Sequence, residues 1–262
     1  MNPARPVSTS TIAGVVLAGG TSRRMNRDKA AIPVDGTAQV RRLARLLARF
    51  CDPVLVSVSQ GSAARALYRG LRTVEDRIPN AGPLCGIVSA HLVLPNAALA
   101  IVAVDLFGLD EKVIEALVTF RREAAAVRDG PLQRPAAVAV MSDDGGPEPL
   151  CAIWEPSLLV AARDELERGA RSARTIMRRW EISLLHVPVG SLGNANTTEE
   201  LHRFQREMDR STAHFPETLS FSIMTEGASK PPGVSSRRSA DFAASRKARS
   251  KKLPATTALR TG

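Results

Sequence analysis

Apolar positions along this chain follow two rhythms. Continuous short runs at residues 12–18 and 98–104 have the pattern of strands buried on both faces, and residues 53–58 read as a further strand. Between the first two, Val40, Leu43, Ala44, Leu47 and Phe50 recur at helical spacing, with Arg41, Arg42, Arg45 and Arg49 among them. That spacing predicts an amphipathic helix with a basic outer face. Further on, the pattern predicts helices over 62–70, 84–94 and 110–123, and strands over 71–74, 136–141 and 149–154. The last two strands flank a turn at 142–147. Pro156 suits the first position of a helix running to about Arg168, and an Arg-rich helix over 172–180 leads into a strand over 182–187. A capping box of Thr197 and Glu200 opens a helix over 198–208.

Alternating strands and helices predict an α/β fold of parallel strands joined by right-handed crossovers. Ligands of such sheets lie beyond the carboxyl ends of the strands. Gly19, Ser57, Asp76 and Asp105 all fall at or near such ends. The first of these ends changes character abruptly. Leu17-Ala18-Gly19-Gly20 is followed by Thr21, Ser22 and the cations Arg23, Arg24, Arg27 and Lys29. Glycines let the backbone turn sharply, and successive N–H groups with cations beside them form an anion-binding concavity. Neither G-x-x-x-x-G-K-[ST] nor G-x-G-x-x-G occurs here. The run 98–104 ends in a single carboxylate, Asp105, which can either cap the following turn or act as a hard oxygen ligand for Mg²⁺.

The string L-A-G-G-x-S-x-R-M-x-x-D-K resembles the opening signature of the nucleoside-triphosphate transferases, specifically the molybdenum cofactor guanylyltransferases. Three further segments resemble that family in the same order: Gly82-Pro83-Leu84-Cys85-Gly86-Ile87, Glu148-Pro149-Leu150-Cys151-Ala152-Ile153, and Asn194-Ala195-Asn196-Thr197-Thr198-Glu199-Glu200-Leu201. The resemblance covers about residues 12–208 and departs from the family at Asn26, at Ser57, at Phe107 (usually Pro), at Glu148 and at Thr198. It implies a Rossmann-like three-layer sandwich with a mostly parallel sheet, of the nucleotide-diphospho-sugar transferase type. It also implies transfer of GMP from GTP to molybdopterin with release of pyrophosphate. By the same resemblance Leu17, Ala18, Gly19, Ser57 and Asp76 hold the nucleotide, and Lys29 and Arg24 the phosphates. Asp105 and Asn196 would bind Mg²⁺. Molybdoenzyme apoproteins or other cofactor-biosynthesis proteins are the implied partners. Two alternatives stay open: a cytidylyl- or sugar-phosphate nucleotidyltransferase of the same fold, and an inactive cofactor- or nucleotide-binding chaperone.

Composition narrows the picture further. The 262 residues suffice for one full domain. No apolar run reaches the ~20 residues needed to span a bilayer, and residues 1–10 have no apolar core of a secretory signal. Cys51, Cys85 and Cys151 are widely spaced and odd in number, giving neither a disulfide framework nor a zinc pattern. A reducing cytoplasmic setting is expected. No GxSxG or HExxH motif points to other chemistry. The net charge is +10, of which residues 211–262, with nine Lys/Arg and three Asp/Glu, carry +6. The expected organisation is a flexible stretch at 1–10, a nucleotidyltransferase domain at 11–210 and a structureless basic tail at 211–262. That tail lacks aromatic interleaving, so nucleic acid is not an expected partner.

Overall fold

The computed structural model describes residues 11–19, 28–79, 81–126, 135–188, 191–193, 195, 200 and 220–225. In chain order, β1 (Ile12–Leu17) leads to a 3-10 turn (Lys29–Ala31) and a small hairpin of β2 (Pro33–Val34) and β3 (Thr37–Ala38). Then come α1 (Gln39–Leu47), β4 (Val54–Val58), β5 (Thr73–Glu75), α2 (Pro83–Val93), β6 (Ala98–Ala103) and α3 (Glu111–Ala126). The remainder is β7 (Ala137–Met141), β8 (Pro147–Trp154), α4 (Pro156–Glu167), α5 (Ala173–Met177), β9 (Glu181–His186) and β10 (Ser220–Thr225).

Eight strands form one sheet in the order β10-β9-β7-β8-β6-β1-β4-β5. β1 is central and parallel to both β4 and β6, and β5 continues the parallel run at one edge. β8 is antiparallel to both β6 and β7; β9 is parallel to β7, and β10 antiparallel to β9. Every residue of β1 and β6 is buried, as expected for strands covered on both faces. Side chains alternate between two cores. Val16, Val56 and Val102 pack with Val40, Leu43 and Leu47 of α1 and Val113 and Leu117 of α3. Val15, Leu17, Leu99 and Ile101 pack with Leu84 and Ile87 of α2, Leu158 and Leu159 of α4 and Ile176 of α5. The result is the three-layer α/β sandwich expected. Trp154, fully buried, is satisfied by donating its ring N–H to the Pro149 carbonyl at 3.0 Å. Among the described residues no helix is long and apolar enough to cross a membrane, and the three cysteines are buried and unpaired.

Three expectations are corrected. The stretch 62–70 holds only a 3-10 turn, Ala66–Tyr68, because just Tyr68 of that segment is buried and nothing else anchors a helix face. The Arg-rich helix is shorter than expected, Ala173–Met177. Residues 211–262 are not uniformly without structure, since Ser220–Thr225 forms β10, paired along its whole length with β9. Alternation of Ser220, Ser222 with Phe221, Ile223 is a strand signal, too short to stand out beside a polar, charged neighbourhood. Residues 1–10 and the helix expected over 198–208, apart from Glu200, lie outside the described residues.

Candidate active site

Two groups of side chains flank the end of the central strand. β1 delivers Leu17 between its neighbours, opposite Ser57 on one side and Ala103 on the other. The Leu17 carbonyl accepts from the Val104 N–H at 3.2 Å, and the Ala18 N–H donates to the Ser57 carbonyl at 2.8 Å. The chain then passes so close to Asp76 that a Cβ on Gly19 would stand 2.7 Å from Asp76 Oδ2 and 3.2 Å from the Ser59 nitrogen. Ser57, almost fully buried, donates its hydroxyl to Asp76 Oδ1 at 2.7 Å. From the other side, Gly86 in α2 presses in: a Cβ there would lie 2.5 Å from Ser57 Oγ and 3.3 Å from Asp76 Oδ1. Two glycines from separate segments thus close on one Ser–Asp pair, leaving backbone where side chains would otherwise fill the space. Burial pushes the Asp76 carboxyl above its ordinary value, with the Ser57 hydrogen bond pulling back against it.

The second group stands on the β6 side. Asp28 caps the 3-10 turn by accepting from the Ala30 N–H at 3.0 Å and pairs with Arg65 at 2.7 Å. Lys29, in that turn, places its ammonium 3.6 Å from Asp105 Oδ2. β6 itself ends at Ala103, so Asp105 sits two residues into the following turn, not at the strand's last position. Its carbonyl accepts from the Ala195 N–H at 3.3 Å, and the Gly108 N–H donates to the Leu192 carbonyl at 3.0 Å. Phe107, where the family pattern has proline, is buried with Ile32 and Ala195. That apolar plug joins the Lys29 turn to the Asp105 turn.

Close by lies a cavity of about 290 Å³ between α2, β8 and α5, lined by Pro83, Glu148, Leu150, Arg171 and Arg174 among others. Glu148 accepts from the Leu150 N–H at 3.1 Å and from Arg174 at 3.2 Å. Burial pushes its carboxyl up, those two contacts oppose this, and the charge of Asp105 adds to the rise. Arg174 also reaches Asp144 at 2.6 Å. Arg171 and Arg174, from the Arg-rich segment, therefore line a cavity.

Of the residues singled out in the sequence, Leu17, Ala18, Gly19, Ser57 and Asp76 come together on one side of β1, and Lys29 meets Asp105 on the other. Arg24 and Asn196 lie outside the described residues. Two residues, Gln39 and Arg42, were missed, and Gly86 was quoted only within the Gly82–Ile87 segment, without a role of its own. Gly86 is the close-approach glycine of α2, readable only once Ser57 and Asp76 are known to face it. Gln39 is a buried polar residue on the apolar face of α1. Arg42 was expected on that helix's solvated face, but it is partly buried and donates to the carbonyls of Leu106, Phe107 and Leu109. Burial lowers its pKa against the pull of Asp35 and Asp110.

Residues 14–184 match the family model described as the MobA-like NTP transferase domain. A probable molybdenum cofactor guanylyltransferase of Opitutus terrae is 31% identical over 208 residues, covering 76% of this chain and 98% of that protein. A molybdenum cofactor biosynthesis bifunctional protein of Synechocystis is 31% identical over 195 residues, covering 74% of this chain but 54% of its own length. Thus this chain spans about half of that bifunctional relative. In shape, the chain is similar to the crystal structure of molybdopterin-guanine dinucleotide biosynthesis protein A from Archaeoglobus fulgidus, with TM-score 0.60 and 19% identity over 76% of this chain and 100% of that one. It is also similar to a CMP:2-keto-3-deoxy-manno-octonic acid synthetase solved with CTP, with TM-score 0.57 and 12% identity over 77% of this chain and 99% of that one.

Proposed function

The chain belongs to the MobA-like NTP transferase family, and we propose that it transfers GMP from GTP to molybdopterin, releasing pyrophosphate. The observation that carries this reading is the facing pair Lys29 and Asp105 beside the end of β1, opposite the glycine-lined Ser57–Asp76 cradle. The terminal phosphate of molybdopterin attacks the α-phosphorus of GTP in line. A new P–O bond forms as the bond to the β-phosphate oxygen breaks, and pyrophosphate departs with that electron pair. The acceptor is already anionic, so no general base is required. Catalysis is then a matter of placement and charge neutralisation.

The cradle is assigned to the nucleoside. Gly19 and Gly86 bring backbone against the ligand, and Asp76, steadied by Ser57, accepts hydrogen bonds from it. Lys29 leaves Asp105 to meet the phosphates, where its ammonium offsets charge gathering on the leaving group. Arg24 is assigned to the same task. The donor chemistry at Asp105 fits Mg²⁺, which is commonly held by one or two carboxylates together with substrate phosphates and water. Asp105 would hold the ion, with Asn196 as a second oxygen ligand, and the bound ion would supply neutralisation of phosphate oxygens. The cavity lined by Glu148, Arg171 and Arg174 is assigned to the acceptor, since it combines two cations with an apolar wall of Pro83 and Leu150. Three buried free cysteines suit a reducing cytoplasm.

The test is to incubate the pure protein with Mg²⁺, molybdopterin and GTP or CTP in turn, and to measure pyrophosphate. Release with GTP and molybdopterin together, and with neither alone, is the expected result. Release with CTP instead would move the reading to a cytidylyltransferase.

A further inference from the structure

The loop that carries Asp105 is fastened to α1 by one compact device. Gln39 and Arg42 lie one turn apart on that helix, so their side chains share a face. Arg42 Nε donates to Gln39 Oε1 at 2.8 Å, which fixes the plane of the guanidinium. Its remaining nitrogens donate to three carbonyls of the loop: Leu109 at 2.9 Å, Phe107 at 3.1 Å and Leu106 at 3.3 Å. Gln39 Nε2 adds a second donor to the Leu106 carbonyl at 3.1 Å. The Leu106 carbonyl also accepts from the loop's own Leu109 N–H at 3.4 Å, and the planar fork of arginine is suited to gathering several acceptors at once.

Gln39 has a second attachment. Its backbone N–H donates to the Ile32 carbonyl at 2.8 Å, at the end of the 3-10 turn that presents Lys29. One residue therefore holds the Lys29 turn through its main chain and the Asp105 loop through its side chain. It is itself fully buried, so neither hydrogen bond competes with water. Phe107 closes the same joint with apolar contact, packed with Ile32. A proline two residues past the carboxylate would restrain the loop from within. This chain restrains it from outside.

We propose that Gln39 and Arg42 are positioning residues that set the spacing between Lys29 and Asp105, and hence the register of the triphosphate against the reacting centre. This rests on the reading of Lys29 and Asp105 as phosphate- and metal-facing groups. Neither Gln39 nor Arg42 is asked to touch the nucleotide. Their loss should therefore spare recognition of the nucleoside and injure the handling of its phosphates.

The test compares Arg42→Met, Arg42→Lys and Gln39→Leu with the unaltered protein in three measurements: calorimetric titration with GTP and with guanosine in the presence of Mg²⁺, steady-state kcat and KM, and Tm. Arg42→Met should lower kcat by about 30- to 100-fold, the range in which displacing reacting groups by about 1 Å is felt. It should weaken GTP by about tenfold, with guanosine unchanged within about twofold. Arg42→Lys should recover Tm but not kcat, since a single ammonium cannot span three carbonyls. Should Arg42→Met fail to fold, Gln39→Leu, which removes one loop contact and the guanidinium's anchor, carries the same comparison. Wild-type kcat and GTP affinity in a folded variant would overturn the proposal, as would equal losses for GTP and guanosine. An Asp105→Ala control separates the two layers. If it keeps full turnover, the reading of Asp105 fails; if it is dead while the clamp variants are normal, only the clamp fails.

Discussion

The two halves of the sheet are built on different terms. From β6 through β1 and β4 to β5 all pairings are parallel, and β6, β1 and β4 are short, largely buried runs whose carboxyl ends lie on one side. Among the described residues, what lies beyond those ends is glycine backbone, a Ser–Asp pair, a Lys–Asp pair and the Asp28–Arg65 ion pair. From β8 to β10 the directions are mixed, with β7 and β9 parallel between two antiparallel pairings; a register shift interrupts β7 against β8 at Ala139/Val140, and the site-facing end carries an ion network of Arg174, Asp144 and Glu148. The parallel half achieves its geometry by keeping side chains out. The mixed half achieves its geometry with side chains that neutralise one another. A substitution at the glycines of the first half is therefore expected to act on fit, and one in the ion network of the second on charge.

The sharpest way to break this contrast is Asp105→Ala. It removes the carboxylate assigned to the metal, and turnover should fall by roughly a thousandfold, the order seen when a key electrostatic group is lost. Circular dichroism and Tm should remain close to wild type, because Asp105 is only partly buried. Lys29→Ala comes next. GTP affinity by calorimetry should fall about 10- to 100-fold, the cost of a charge-assisted contact, while guanosine binds as before. Equal losses for both ligands would make Lys29 a scaffold for the turn.

Gly86→Ala tests the claim that space decides in the parallel half. The added methyl would meet Ser57 Oγ at 2.5 Å and Leu17 Cδ2 at 3.0 Å, and overpacking of this kind costs about 1–3 kcal/mol. Nucleotide affinity should fall along with the denaturation midpoint. Glu148→Gln tests the mixed half, where charge should decide. It frees Arg174 from one of its two carboxylate partners, so KM for the anionic acceptor should fall by roughly threefold, with kcat unchanged. A rise in KM would mean that the carboxylate itself receives a donor from the acceptor.

The smallest effect concerns Asp76 and is one of pH. Burial raises its carboxyl in the folded protein above the unfolded value, so the folded state resists ionisation there. The stability associated with the protonated form is fully present below the unfolded value and is lost as pH rises through the folded one. Asp76→Asn removes that loss. The Tm of the variant at pH 7 should equal or exceed wild type, with the gap closing as pH falls into the carboxylate range. Its GTP affinity should nevertheless drop. A variant less stable than wild type at neutral pH would mean that the ionised carboxylate is itself a structural acceptor.

The parallel half was the more readable in sequence, for a physical reason. Strands buried on both faces must be apolar at every position, so residues 12–18 and 98–104 announce themselves, and the glycine pair that ends the first and the carboxylate that ends the second stand out. The close approach of Gly86, quoted only as part of a family-like segment, and the role of Arg42 could not be read this way. A glycine's importance depends on what faces it, and Ser57 faces Gly86 across a long stretch of chain. Arg42 follows the spacing of a solvated face, yet its guanidinium meets carbonyls, which carry no sequence signal at all. β10 was missed because six residues of alternation are weak against a strongly polar surround. The 3-10 turn at Ala66–Tyr68 looked helical for the converse reason, since Ala, Leu and Arg favour helix locally and nothing buries a face there.

The register of the central strands also bears on how the chain is made. β1 is synthesised before either of its partners, yet Ile12 pairs with Ala98 and Leu17 with Ala103. β4 can cover one edge of β1 early, but the other stays open until β6 has been synthesised. For that interval a nascent chain exposes an apolar strand edge, which is where intermediates associate wrongly. Premature termination before residue 98 would leave a fragment with that edge permanently bare, and such fragments are expected to aggregate or to be taken up by chaperones rather than persist as a half-built domain.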